Sequence, residues 1–570
     1  MVITVRCLLI ALVMLGSVCI PVMAQVTGSE KPLPEARHLD LPLSMKDSLM
    51  SITKSPMPKI HLPEFFITGK AVIDLPEVDK LRATDDSDSN VVASLLNRPL
   101  IRLHETAQPA LGSKEEFEGP KVSLYDGKVF ASLGTFFSPQ AGLWFGNTRG
   151  DYVYSVDGQY YRTEGFAAYT GRSGGSVDLV GGTRLKSYNP YFDQSKLQGN
   201  VTFESDTYNW YGSSDPTISR TRNDVTVSAN LRNWSQSPIP YRGNIGLESF
   251  GVDDSSKSVS ETRINLAGAT RVVVSSIPFN VEVMGYVGTV SYGNSSAGLS
   301  YLEAMVGSQR YTWKRFSLYG GVYGYAAHGM DNQSILRLYP HFDVAYLLSD
   351  QHTIDFVYAP QVQGNDLSNQ VFANRYISAL SKIRHTDDQQ DATLAIESSW
   401  SGESRTRLGI RVQSIMDYPL YADSLVPGVW QLAYGGRTTI TSLSAEIFAK
   451  LPANDYFAAK LMASMSNNSL TGRAVPYLPV IAVEASYTRQ FGSNWTGSAK
   501  LTLLHDRTDN VVKINVLPSI LLMGVRCEYR FFQQAAVFLD VQNLLNEQYE
   551  YWRGYQEDPF VLSAGFSLRW

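Results

Sequence analysis

The sequence predicts an all-β fold: a transmembrane antiparallel β-barrel of about 18–22 strands behind an N-terminal, largely irregular arm. Three observations predict it. Apolar and polar residues alternate over long stretches, the composition is aromatic-rich and poor in charge, and no run beyond the first 24 residues is apolar enough for a helical span. Of 570 residues, 44% are hydrophobic and 18% charged, below the ~25% charged of an ordinary soluble domain. The 32 Tyr, 24 Phe, 9 Trp and 44 Gly suit many strands joined by turns.

The first element, residues 1–24, reads as a signal peptide: Arg6, an apolar run to Val18, and Val22-Met23-Ala24 before Gln25. The sequence before Cys19, Gly16-Ser17-Val18, lacks the residues of a lipidation site. Cleavage removes one of 49 basic residues and no acid, giving 48 − 54 = −6 for the mature chain. No basic run points to nucleic acid. Cys7 and Cys19 leave with the signal, so Cys527 has no partner for a disulfide.

Residues 25–120 read as a Pro-rich, acidic arm, periplasmic or lumen-facing. Within it, Phe65 to Thr68 and Ala71 to Ile73 suit a short strand pair, and residues 90–97 a brief helix stopped by Pro99. Residues 121–570 read as the barrel. Val225, Val227, Ala229 and Leu231 alternate with Thr226, Ser228, Asn230 and Arg232; Val525, Cys527, Tyr529 and Phe531 alternate with Arg526, Glu528 and Arg530. A dry sandwich core would penalise three charges on one strand face, whereas a wet lumen accommodates them. Arg526, Glu528 and Arg530 are therefore lumen-lining candidates. Aromatic clusters at 188–192, 208–212 and 551–555 suit interfacial girdles, and the stretch 364–390 has no clear period.

The last strand places Phe560, Leu562, Ala564, Phe566, Leu568 and Trp570 on one face. Such a terminal strand, ending in an aromatic residue, resembles the signal read by the outer-membrane barrel-assembly machinery, carried here by Phe560, Leu562, Phe566, Leu568 and Trp570. The longer stretch 537–570, with Val541, Asn543, Leu544, Leu545, Asn546, Tyr549, Gly554 and Phe566, resembles the C-terminus of TonB-dependent receptors. The resemblance covers about the last hundred residues, including the hairpin at 475–507, and implies an outer-membrane location and a transport-related role. It also implies a plug domain, for which residues 25–120 are too short; only Leu62 to Lys70 is similar to the segment that leads into a plug.

No catalytic, cofactor or metal site is expected. No H-x-x-x-H, G-x-S-x-G or phosphate-binding glycine loop occurs, and Asp85-Asp86-Ser87-Asp88 lacks the rest of a calcium loop. His505-Asp506 reads as a polar hairpin end; a barrel hydrolase built on it is the enzyme alternative. Two further expectations stand beside each other: solute passage or uptake, and a structural or assembly subunit whose residues 56–76 bind a periplasmic partner.

Overall fold

The computed structural model describes residues 127–570 apart from 234–238, 255–256, 276, 309, 402–403, 425, 452–454 and 510–514. The expected signal peptide, the arm with its strand pair and helix, the partner segment 56–76 and the question of a plug lie outside the described residues.

A single antiparallel sheet of 22 strands closes on itself. Each strand pairs with the next along the chain. The seam is made by the first strand, Gly127–Gly134, and the last, Val561–Arg569, in register from Lys128 opposite Arg569 to Gly134 opposite Ser563. Trp570 completes it: its backbone exchanges hydrogen bonds of 3.0 and 3.1 Å with Gly127, and its ring occupies the space a Cβ at 127 would need. The count falls at the upper edge of the expected range. Closure satisfies every edge, which a sheet in lipid requires.

Alternation sets the two faces. One outward row runs across five neighbouring strands through Val201, Val227, Leu247, Ile264 and Val287, whose exposure rises from 39% to 69%. The adjacent row, Thr226, Glu248 and Arg263, points inward. An apolar outer belt over a charged interior is the arrangement of a barrel in a membrane. Among the described residues no helix is long and apolar enough to cross one.

The two ends of the barrel differ. At the end where the chain's last strand finishes, several neighbouring strands are joined by tight connections such as 150–151, 350–351 and 533–534, while 185–195 is longer. At the other end the connections 210–218, 364–385, 417–436, 506–519 and 543–560 are long, and they fold inward. The aperiodic stretch 364–390 resolves here into helix α1, Leu367–Ala373, whose N-cap Asp366 accepts the Asn369 N–H at 2.7 Å, followed by an irregular return to the wall.

Candidate functional site: a loop cap over a charged lumen

The inward loops meet over the mouth in one aromatic core. Tyr376 from 364–385 stacks on Tyr555 from 543–560, Trp430 from 417–436 lies tilted against Tyr555 at 5.8 Å, and Tyr211 is edge-on to both tyrosines. Trp552 packs against Trp430, Tyr421 and Tyr477 at centroid distances of 5.4, 4.8 and 4.3 Å. Burial of rings of this size dominates the stability of such a cluster. The loops that contribute enter the sheet far apart around its circumference, so their contact spans the opening.

Three glycines let the loops cross. A Cβ at Gly212 would collide with the Gly554 carbonyl, and one at Gly428 with the Gly212 carbonyl. Gly428 and Gly554 also have φ of 82° and 83°, a region that side chains disfavour. Polar bonds tie the same junction: the Tyr555 hydroxyl donates to the Gly428 carbonyl at 2.8 Å, the Tyr211 hydroxyl to the Gln556 carbonyl at 2.7 Å, and the Ser214 N–H to the Pro427 carbonyl at 3.1 Å.

Buried charges anchor the cap to the wall. Arg220 grips Asp254 with two parallel bonds, gives Nη1 to the carbonyls of Arg375 and Ile377 at 2.9 and 2.8 Å, and lies over the Trp210 ring. Arg263 is ringed by Glu248, Glu261 and the helix cap Asp366, while Glu261 accepts the Leu367 N–H at 2.7 Å. The start of α1 is thereby fixed to the strand Lys257–Val274. Arg553 joins Asp509 at 2.6 Å and Asp423 at 3.1 Å, linking three loops; burial opposes its charge, but the two carboxylates raise its pKa above the ordinary value. Among the described residues Arg507 bonds to backbone carbonyls, of Glu550, Tyr551 and Pro518, and burial lowers its pKa to about 10.

The sequence-predicted residues take the following places. Arg526, Glu528 and Arg530 lie on the inward face of Ile520–Phe532, each arginine 3.7 Å from the glutamate, and Arg526 covers the Phe538 ring. Leu562, Phe566, Leu568 and Trp570 face outward and are exposed, while Phe560 precedes the strand and is half-buried. Nδ1 of His505 is 2.6 Å from the Ser519 hydroxyl at an exposed strand end, and among the described residues no carboxylate is bonded to its other ring nitrogen.

Two of the three aromatic clusters differ from the girdle expectation. Tyr208, Trp210, Tyr551, Trp552 and Tyr555 are buried in the cap, because they fall on inward positions or on loops that turn over the mouth. Only 188–192, at the tight-turn end, is exposed. The Arg220–Asp254 pair and the cap contacts of 364–385 were not foreseeable from spacing; the signal present was glycine inside the aromatic runs at 208–212 and 551–555.

No family model matches the chain, and no curated protein matches it. Solved structures do. The FrpB iron transporter from Neisseria meningitidis is similar at a TM-score of 0.63 and 9% identity, covering 78% of this chain and 81% of that one. A ferric enterobactin receptor from Pseudomonas aeruginosa, PfeA, is similar at 0.61 and 10%, covering 78% and 82%. The copper transporter OprC is similar at 0.59 and 13%, covering 78% and 80%. The described chain therefore has the fold of a TonB-dependent receptor-like outer-membrane β-barrel.

Proposed function

We propose that this chain is an outer-membrane transport protein whose lumen is closed on the loop side by a folded cap that must open for solute to pass. The observation that carries the reading is the crossing of loops 210–218, 417–436 and 543–560 at Gly212, Gly428 and Gly554 above an interior lined with paired charges. A lumen this wide needs closing, since an open one would leak. The iron, siderophore and copper transport named for the structural neighbours supports a transport role, not a particular cargo.

In this reading residues 1–24 are the signal peptide, 25–120 the arm and 121–570 the barrel. Phe560, Leu562, Phe566, Leu568 and Trp570 are the assembly signal, and Arg526, Glu528 and Arg530 line the passage toward the periplasmic end. No catalysis is assigned: among the described residues no acid orients the His505–Ser519 pair.

The test is single-channel conductance of the mature protein in planar bilayers beside Gly212→Val, which wedges the loop crossing, and beside a version lacking 25–120. Silence in the intact chain and current in Gly212→Val supports closure by the cap. Steady current in the intact chain, or current released by deleting 25–120 alone, would overturn it. Silence in all three would favour the structural reading, in which residues 56–76 engage a periplasmic partner.

A further inference from the structure

Both ends of the segment 364–385 meet at one imidazole. The Asn365 N–H donates to Nδ1 of His385 across 3.1 Å, and Nε2 of His385 donates to the His328 carbonyl across 3.0 Å. Together these bonds require a neutral ring with its proton on Nε2. The side chain is fully buried, with Tyr286 and Tyr301 packed on it at 6.3 and 6.2 Å. The same tyrosines hold the approach to the segment: Tyr286 donates to the Asn365 carbonyl at 2.7 Å and Tyr301 to the Val362 carbonyl at 2.8 Å. Gln333, in the connection just before the strand Ser334–Ser349, binds the His385 backbone at 2.8 and 2.9 Å.

A proton on Nδ1 would set donor against donor at Asn365 and place a cation in a buried site. The charged and titratable groups around the ring come from several elements. Asp366, on the helix cap, favours the cation; His328 opposes it when charged; Arg384 is occupied by Asp331 and Asp417; the two phenols stay neutral. Burial is the largest effect and holds the imidazole below its ordinary 6.5.

We propose that His385 is a proton-operated pin and that 364–385 is the moving leaf of the cap, released when the ring is protonated. This rests on the cap being a gate. The sign follows from linkage. A released imidazole takes up a proton near pH 6.5 and the held one resists, so the pin is fully set above that value and weakens as pH falls below it. Between pH 7.5 and 5.0 the shift toward release reaches at most about 30-fold.

The test is hydrogen exchange of the full mature protein in nanodiscs at both pH values, with protection corrected for intrinsic exchange. The expected result is a fall of about 10- to 30-fold in protection over 364–385, with the strand 219–233 unchanged. His385→Asn keeps an acceptor near the Nδ1 position but does not titrate, and its protection is expected to be flat with pH; His385→Gln serves if that variant does not assemble. A flat response in the native protein, or an equal fall in the variants, would overturn the pin. The readout is exchange rather than current, so a failed transport reading and a failed pin are told apart.

Discussion

Tyr376 and Tyr555 lie face to face with centroids 3.5 Å apart and planes 18° from parallel, joining two loops separated by eight barrel strands. Both rings are buried, and burial raises both phenols above their ordinary pKa. The stack is the centre of the cap, and the crossing glycines lie beside it.

Gly212→Val is expected to wedge the cap without breaking the barrel. The new side chain meets the Gly554 backbone, which cannot rotate away as a flexible side chain would. Overpacking of this kind costs about 1–3 kcal/mol. Exchange protection should drop in 210–218, 417–436 and 543–560 together, while heat-resistant migration of the folded barrel is retained; loss confined to one loop would mean that the loops move independently.

Arg220→Met is expected to destabilise the protein by about 3–5 kcal/mol, because Asp254 stays buried without its partner. Replacing Asp254 by Leu as well should recover much of that loss, since the pair then becomes apolar. Chemical unfolding of the two variants in micelles checks this. A double variant no better than the single one would mean that the bonds from Arg220 to the Arg375 and Ile377 carbonyls, rather than the ion pair, carry the effect.

Val227→Arg and Ser228→Arg, adjacent in sequence, should behave oppositely. Val227 sits in the outward row, where a cation at mid-membrane costs about 2–4 kcal/mol. Ser228 points inward, and its variant should fold with near-native stability. Equal losses would contradict the assigned faces.

Trp570→Ala is expected to lower the yield of assembled barrel several-fold while leaving export unaffected. In the proposed reading the residue combines two roles, the last position of the assembly signal and a ring packed over Gly127 at the seam. Phe566→Ala removes an outward ring from the same strand but leaves the Trp570–Gly127 contact in place, so measuring membrane-inserted protein for both separates recognition from that contact.

Much of the barrel was legible because its physics is local. Period-two alternation reports which face of a strand meets lipid, and Val225 with Val227 or Val525 with Cys527 could be assigned from spacing alone. The cap was not legible in this way. Tyr376, Trp430 and Tyr555 come from three loops distant in sequence, and nothing in a loop's own spacing says that it turns inward. The aromatic runs at 208–212 and 551–555 misled for the same reason: a girdle and a cap core use the same residues, and only the direction of the chain beyond the strand distinguishes them. His385 looks unremarkable in sequence because its partners, Asn365 and His328, are supplied by closure of the segment and by the end of the strand Phe316–His328.

The most direct test of the central claim is external access to the lumen below the cap. Cys527 is replaced by Ser, a single cysteine is introduced at inward-facing Thr226, and intact cells are treated with a maleimide too large for general porins. A sealed mouth predicts no labelling with the native cap and ready labelling once Gly212→Val is added. Labelling of the native-cap protein as fast as a cysteine on an exposed loop would contradict the account, because the loops would then leave the passage open.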